Sequence, residues 1–389
     1  MHNYSWPSYS KKEAKLVSEI IASNKVNYLF GKKGKEFEEK FSVFTGARYS
    51  LAVANGTLAL DLCLRSIGLK INDEVIVTSR SFVASASCIS ALGGIPVFAD
   101  VDRNSQNISI SEIEKLTSKK TKAIICVHFA GFPCEMQKIL KFAKSKNIFV
   151  IEDCAQAHGA FINGKSVGTF GHISAWSFCN DKILSTGGEG GMITTNSRKL
   201  FRFAESFNNH GKNFNKVNNL LDKKASSFPF IHDAIGLNYR LTEMQSTLGI
   251  YQLEKLSNWQ MLRKRNAEIY INMFKNIDLI ITPEVPNNIQ HAWYKLYLTI
   301  NTSFLNKGSS RSKIIKEINE NGIFCSFGSC GSIYREKAFN KQRYKKSDCK
   351  NAYFLEANSI LLEINPNIPK RIIENRAKTI KSIFLKHQI

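Results

Sequence analysis

Short apolar runs alternate with amphipathic segments through the first half of the chain. Each run ends at polar residues or glycine, as buried strands do, and the segments between the runs repeat apolar residues at helical spacing. Strands are predicted over residues 49–54, 74–78, 95–101, 123–128 and 148–153, and helices over 57–67, 84–92, 136–145 and a stretch beginning at 111. This alternation predicts a mostly parallel sheet with helices on both faces. Ligands of such sheets bind at the carboxyl ends of the strands.

The regions on either side of this unit read mainly as helix. An amphipathic helix is predicted around residues 14–21, and further helices over 35–44, 197–207, 244–256 and 260–274, with a polar loop over 208–227. The rest predicts a smaller α/β unit, with strands over 293–300 and 323–326, a helix over 312–321 and terminal helices near Ala352 and Arg371. We therefore expect a large domain, 1–256, and a small C-terminal α/β domain, 257–389.

Composition narrows the class of protein. The 389 residues are 43% hydrophobic, which is ordinary for a globular protein, and no apolar run is long enough for a membrane span. The first residues lack the apolar segment of a secretory signal. Nine cysteines, an odd number without a CxxC pair, argue against a disulfide framework or a zinc site. We expect a cytoplasmic protein with reduced thiols, no bound metal and no membrane insertion.

The formal net charge of +22 raises the question of nucleic-acid binding. The lysines are, however, spread along the whole chain and are accompanied by many asparagines and isoleucines, which is typical of a compositional bias. A binding surface would instead concentrate them in a stripe. We expect no nucleic-acid partner, although a positive field would attract an anionic small substrate.

A single lysine, Lys182, lies between two apolar runs that read as buried strands, 175–178 and 192–195, and is followed by a glycine-rich turn, 187–191. Partial burial lowers the pKa of a lysine and frees its amine for Schiff-base chemistry. The alternative is a hairpin turn with a solvated lysine. A Walker phosphate loop is excluded, because its lysine follows the glycines.

Polar residues collect where the other predicted strands end. Gly56 and Thr57 begin a helix, whose free N–H groups suit a phosphate, although a plain N-cap by Thr57 explains them equally well. Phe82 follows the next strand and is either a cover for a flat ring or ordinary core. His128 either faces a ligand or is a hydrogen-bonded core histidine. Asp153 ends an apolar strand and requires a cation or hydrogen bonds.

Together these residue types meet the needs of pyridoxal 5'-phosphate. The aldehyde of this cofactor needs an amine, and its pyridine nitrogen needs a carboxylate. Its phosphate needs N–H and hydroxyl donors, and Ser177 offers one such hydroxyl. The same stretches resemble the sugar aminotransferases of the DegT/DnrJ/EryC1/StrS type, which belong to the fold-type I enzymes of this cofactor. The resemblance covers nearly the whole chain and is densest in ANGTLALDLCL, SRSFVASASC, VIEDCAQAHGA, SFCNDKILSTGGEGGM and GLNYRLTEMQ.

The resemblance implies a role for each matching residue. Lys182 would form the Schiff base with the cofactor and act as the catalytic residue, and Asp153 would pair with the pyridinium nitrogen. The other cofactor contacts would be Phe82 on the ring, Gln156 beside the ring hydroxyl, and Gly56, Thr57, Ser177 and, from a second subunit, Asn238 at the phosphate. The loop before Lys182 departs from the family, because Cys179 and Asn180 stand where a histidine is frequent.

The resemblance also implies the activity: transamination of a nucleotide-linked keto sugar with L-glutamate, by a homodimer with its active sites at the interface. Family members that dehydrate sugars have histidine in place of this lysine. The opening WPSY, the lysine loop and SFGSCGSIYREKAF resemble most the branch that aminates carbon 4 of dTDP-linked 4-keto-6-deoxyhexoses for surface polysaccharides. Candidate substrate contacts are Lys25, His128, Arg240 and Arg335. The alternative, which is the more usual one for such residues, is a solvated charge for the lysine and the arginines and a core residue for His128.

Three alternatives remain open at the level of sequence. A 3-aminotransferase would use the same cofactor arrangement, so residue spacing does not separate amination at carbon 3 from carbon 4. A non-catalytic protein of the same fold would be expected to lack Lys182 or Asp153. A cysteine desulfurase would need a cysteine in a mobile loop, and none is recognisable.

Overall fold

The computed structural model describes residues 4–221, 230–339 and 344–389. The strands are β1 (Tyr49–Val53), β2 (Glu74–Thr78), β3 (Ile95–Ala99), β4 (Thr121–Val127), β5 (Phe149–Asp153), β6 (Phe161–Ile162), β7 (Lys165–Ser166), β8 (Ile173–Ser177), β9 (Gly191–Thr195), β10 (Ile280–Ile281), β11 (Ile289–Gln290), β12 (Leu296–Ile300), β13 (Cys325–Ser326), β14 (Lys345–Lys346) and β15 (Ser359–Leu362). The α-helices are α1 (Lys11–Ala22), α2 (Lys33–Thr45), α3 (Gly56–Ser66), α4 (Ala84–Ala91), α5 (Ile110–Leu116), α6 (Met136–Lys146), α7 (Arg198–Phe207), α8 (Phe214–Leu221), α9 (Glu243–Phe274), α10 (Arg311–Glu320), α11 (Lys350–Asn358) and α12 (Lys370–His387).

The large sheet has the strand order β1-β9-β8-β5-β4-β2-β3-β14. Its central pairs are parallel, and only β9 runs against its neighbours β1 and β8. The predicted mostly parallel sheet is therefore confirmed. Because β1, β2, β4, β5 and β8 point the same way, their carboxyl ends share one edge of the sheet, and the residues predicted for the site follow those ends.

Apolar side chains fill both faces of this sheet, as continuous apolar strands require. One core includes Phe37, Phe41, Ile124, Val150 and Trp176, and the opposite core includes Leu62, Val75, Ile125, Ile151 and Ile193. All ten side chains are fully buried. The sheet is thus a rigid platform for its carboxyl edge.

The C-terminal part forms a second, antiparallel sheet with the order β10-β12-β15-β13. One face packs on α9, α10 and α12 in a separate core that includes Leu296, Leu298, Ile314, Ile360 and Ile380. A third, small sheet joins β11, β6 and β7. None of the described helices is both long and apolar enough to cross a membrane.

Three predicted elements differ from the structure. The two helices predicted over 244–256 and 260–274 are one continuous helix, α9, because the intervening Ser257, Asn258 and Trp259 contain no helix breaker. The domain boundary expected after residue 256 therefore falls inside a helix. The polar loop predicted over 208–227 contains α8, and residues 222–227 of that prediction lie outside the described residues. The strand predicted from 293 begins at Leu296, because Trp293 has a positive φ of 51°.

Candidate active site

Lys182 lies on the loop between β8 and β9, at the carboxyl edge of the large sheet. Its side chain is 15% exposed, and its Nζ lies 3.4 Å from the Tyr294 hydroxyl and 3.6 Å from Asp181 Oδ1. The Tyr294 hydroxyl also donates a hydrogen bond to Asp181. Burial and the charge of Asp181 raise the pKa of Tyr294 well above its usual value, so this hydroxyl keeps its proton.

The loop around Lys182 is fixed by glycines and by the N-terminal segment. Gly187 has a φ of 86°, and a Cβ at Gly190 would lie 2.0 Å from the Thr186 hydroxyl oxygen, so both positions require glycine. Trp6 Nε1 donates to the Lys182 carbonyl at 2.7 Å, and the Tyr9 hydroxyl accepts from the Gly187 N–H at 3.1 Å. The WPSY segment thus holds the lysine loop in place.

Asp153 ends β5 and is 4% exposed. Its Oδ2 accepts a 2.8 Å hydrogen bond from the Ser85 hydroxyl, and its Oδ1 accepts from the Ala155 N–H at 3.1 Å. Burial raises the pKa of Asp153, although these hydrogen bonds and the positive charge of Lys182 oppose the rise. A cationic ring nitrogen beside this carboxylate would offset the cost of burial and favour the charged form of Asp153.

His128 is not available as a substrate contact, contrary to that candidate role. It is fully buried, its Nδ1 accepts from the Cys134 N–H at 3.0 Å, and its Nε2 lies 3.1 Å from Glu152 Oε2. Both ring nitrogens are used inside the protein. The alternative of a hydrogen-bonded core histidine is the correct one.

The start of α3 forms a cradle beside the end of β8. Asn55, not Thr57, caps the helix, because Asn55 Oδ1 accepts from the Leu58 N–H at 2.9 Å. A Cβ at Gly56 would lie 2.6 Å from Ser177 Cβ, so glycine allows the helix start to approach the Ser177 hydroxyl closely. Thr57 is exposed at this helix start. Free N–H groups, a helix dipole and hydroxyls suit a phosphate.

Phe82 and Gln156 lie on the loops that follow β2 and β5, two strands that are separated in the sheet by β4. The Phe82 side chain is 58% exposed, so its ring is open to a ligand, and the segment that carries it is tied to Asp153 through Ser85. Gln156 Oε1 accepts from the Ala130 N–H at 2.7 Å, and its Nε2 lies 3.7 Å from Cys330 Sγ. The structure brings both residues to the edge that carries Asp153.

The remaining candidates are less closely associated with this edge. Asn238 is exposed, and its Oδ1 accepts from the Arg240 N–H at 3.3 Å. Arg240 reaches Asn209 Oδ1 at 3.3 Å. Arg335 pairs with Glu356 at 3.0 Å, and Lys25 is exposed on the loop after α1. Arg335 is thus committed to an ion pair within its own chain.

Sequence reasoning misses Tyr294, which contacts Lys182, and Ser85, which contacts Asp153. It also misses Arg263 and Lys295, which lie beside Tyr294, and it assigns no role to Asp181, the neighbour of Lys182. Asp181 is visible in the lysine motif, whereas Tyr294 is distant in sequence and no pattern marks it. The lysine, the buried aspartate, the exposed aromatic ring and the glycine-lined helix start together fit the amine, nitrogen, ring and phosphate needs of pyridoxal phosphate. Fold and site define a fold-type I aminotransferase.

The comparisons with known proteins agree with this class. The chain belongs to the DegT/DnrJ/EryC1/StrS aminotransferase family, whose model matches residues 7–381. It is thus an enzyme of a family of pyridoxal-phosphate-dependent sugar aminotransferases. The solved aminotransferase from Psychrobacter cryohalolentis is 39% identical, with a TM-score of 0.95 over 98% of this chain and 99% of that chain.

Two curated relatives act on different nucleotide sugars, according to their names. GDP-perosamine synthase of Escherichia coli O157:H7 is 37% identical over 302 residues, covering 76% of this chain and 77% of that protein. A dTDP-3-amino-3,6-dideoxy-alpha-D-galactopyranose transaminase of Aneurinibacillus thermoaerophilus is 37% identical over 286 residues, covering 74% of each chain. Both names specify a nucleotide-linked sugar, and the nucleotide differs between them.

Proposed function

We propose that this enzyme transfers the amino group of L-glutamate to carbon 4 of a dTDP-linked 4-keto-6-deoxyhexose. The observation that carries the transaminase function is Lys182, held by Tyr294 and Asp181 on the same sheet edge as the buried Asp153. The choice of carbon 4 and of dTDP rests on sequence resemblance. The structure adds a physical basis for one resembling motif, because Trp6 and Tyr9 of WPSY bind the lysine loop.

Each residue has a distinct task in this reaction. When bound, pyridoxal phosphate supplies the electron sink for the carbon that loses its proton. The Lys182 amine accepts that proton and returns it, acting as general base and then general acid. Tyr294 and Asp181 orient the amine. Asp153 would keep the ring nitrogen protonated, and the Gly56–Ser177 cradle would hold the phosphate.

A 3-aminotransferase is the second candidate, supported by the Aneurinibacillus relative whose product carries its amino group at carbon 3. The orientation of the sugar decides between the two carbons, because both reactions use the same cofactor contacts. The net charge of +22 supports an anionic nucleotide-linked substrate for either reaction.

The test uses purified enzyme, glutamate and a panel of nucleotide-linked 3-keto and 4-keto sugars, with products read by mass spectrometry. The expected product is the 4-amino sugar from the dTDP-linked 4-keto substrate, and Lys182→Ala should abolish its formation. A colourless protein that neither binds pyridoxal phosphate nor reacts with glutamate would overturn the transaminase function. Consumption of a 3-keto isomer alone would overturn only the choice of carbon 4.

A homodimer with shared active sites is part of this proposal. Asn238 is exposed and stands beside two exposed apolar residues, Ile235 at 91% and Leu237 at 47%, which suits a surface covered by a second copy. Mixing inactive Lys182→Ala with an inactive Asn238→Ala variant should restore activity in hybrid dimers. Verified hybrids without activity would show that each subunit builds its own site.

We further propose a cytoplasmic enzyme that serves surface-polysaccharide synthesis and does not act on nucleic acid. All nine cysteines are free, and eight of them are buried, which suits a reducing compartment. Any DNA binding should be weak and steeply reduced by salt, because dispersed lysines contact phosphates without specificity. A DNA complex that survives physiological salt would contradict this part.

A further inference from the structure

A cavity of about 220 Å³ lies between the lysine loop and the small C-terminal sheet. Its walls include Trp6, Asp181, Arg263, Tyr294, Lys295 and Glu363. Asp181 and Tyr294 are the two residues that contact the Lys182 amine, so the cavity adjoins the reacting group. Its volume is below the roughly 300–1,000 Å³ of pockets for drug-sized ligands, so a small molecule fits it better than a whole nucleotide sugar.

Two cationic side chains face this cavity without a full set of partners. Among the described residues, Lys295 forms no ion pair and donates no hydrogen bond, and its Nζ lies 4.9 Å from the centre of the Tyr294 ring. Burial lowers the pKa of Lys295, although the Asp181 carboxylate opposes this. Such a partly buried ammonium is costly unless an anion joins it.

Arg263 lies beside Lys295 and is more rigidly held. It is 2% exposed, its Nη1 donates to the Tyr294 carbonyl at 3.2 Å, and its guanidinium stacks on Trp6 at 4.7 Å. Its Nε has no partner in the described part of the chain. The guanidinium therefore keeps a buried positive charge against the cavity wall.

The cavity also contains two carboxylates, which restrict the kind of anion. Glu363 is engaged by Asn365 at 2.7 Å and by Arg376 at 3.4 Å, and Asp181 by Tyr294. Because both carboxylates already have partners, Lys295 and Arg263 remain available to a carboxylate group of a ligand. A cavity of this size suits a small carboxylic acid better than a nucleotide diphosphate.

We infer that this cavity is the binding site for the carboxylate of the amino-acid donor, with Lys295 as its direct partner and Arg263 as a supporting charge. The inference rests on the proposed transamination, because only that reaction requires an amino acid next to Lys182. It explains why a lysine without an anionic partner is held beside the catalytic amine.

The test measures binding of glutarate, a dicarboxylate without an amine, to the holoenzyme by titration calorimetry. Lys295→Met keeps the aliphatic length but removes the charge, and it should weaken glutarate binding by about tenfold to a hundredfold, as loss of a charged hydrogen bond does. Lys295→Arg should retain most of the affinity. Lys378→Met, at an exposed position of α12, removes the same charge and should leave binding unchanged.

The outcomes distinguish a site for the amino-acid donor from a site for the nucleotide. Glutarate affinity within twofold of wild type in Lys295→Met would overturn the inference. The inference would also be overturned if Lys295→Met weakened the binding of dTDP and left glutarate binding intact, because the cavity would then bind the nucleotide. A crystal soaked with glutarate tests the wild-type protein directly: density against Lys295 supports the site, and density only elsewhere overturns it. Wild type that binds glutarate at Lys295 but never reacts with glutamate would refute the proposed function alone.

Discussion

Glu152 should be a major source of stability, although it is a fully buried charge next to Asp153. Its Oε1 accepts from the N–H groups of Phe170 and Gly171 at 2.8 and 2.7 Å. Its Oε2 accepts from the Gly168 N–H at 2.8 Å and lies 3.1 Å from His128 Nε2. His128 Nδ1 accepts a backbone hydrogen bond, so Nε2 carries the proton and donates to the carboxylate.

The substitution Glu152→Gln tests how much the Glu152 carboxylate contributes to the free energy of unfolding. The new amide NH₂ must replace one of the two oxygens, and each oxygen faces two donors. Either orientation therefore leaves two buried donors without an acceptor, at about 1–3 kcal/mol each. The free energy of unfolding should fall by about 2–6 kcal/mol. The exposed control Glu135→Gln, which loses only a surface pair with Lys138, should cost about 1 kcal/mol or less.

Urea unfolding of the apoprotein at one fixed protein concentration measures both changes. The pKa of Glu152 is lowered: burial alone would raise it, but His128 and the backbone N–H groups outweigh burial. A lowered folded-state pKa means that the carboxylate stabilises the protein above its unfolded pKa of about 4.5 and ceases to do so as the pH falls through the folded value. The difference between wild type and Glu152→Gln should thus shrink in acid. A loss below 1 kcal/mol at pH 7 would refute this reasoning.

Two further predictions concern the site itself. Gly56→Ala should weaken pyridoxal-phosphate binding at least about tenfold, since a Cβ would lie 2.6 Å from Ser177 Cβ. The control is Gly331→Ala, whose Cβ would have its nearest neighbour at 3.9 Å. Equal affinities of the two variants in an absorbance titration would contradict the phosphate role of the Gly56–Ser177 cradle. Tyr294→Phe should slow the glutamate half-reaction about tenfold or more, because it removes the hydroxyl that holds Lys182; an unchanged stopped-flow rate would show that the hydroxyl is dispensable.

The sequence is most informative about features that depend on short stretches. The apolar runs ending in 54, 78, 128 and 153 predict parallel strands, and their shared carboxyl edge brings Phe82, Asp153 and Ser177 together as topology requires. The apolar periodicity predicts two helices where the structure has the single helix α9, because the middle of α9 is polar in sequence. Trp259 in that middle part is nevertheless buried and packs on Trp6. Amphipathic periodicity weakens where a helix is buried on several sides.

The contacts around Lys182 show why the rest of the site is not predictable from sequence. Tyr294 is 112 residues away from Lys182 in sequence and Trp6 is 176 residues away, and no local pattern pairs such positions. The polarity of His128 suggests a ligand contact, whereas its actual partner is the buried Glu152 on the next strand. Partners of polar side chains are decided by strand register and packing, which a single sequence does not display.

The continuous helix α9 constrains how this protein can change in length. Its 32 residues extend roughly 48 Å, and along them Gly249 contacts Phe37 of the large unit while Asn266 binds the Asn365 carbonyl of the small one. One inserted residue between these contacts would turn everything beyond it by about 100°. An insertion before Arg263 would turn that side chain away from the cavity wall. The small sheet would also be rotated relative to the lysine loop. Insertions are therefore expected in loops and not in this part of α9. The helix fixes the rotation of the small C-terminal sheet relative to the lysine loop.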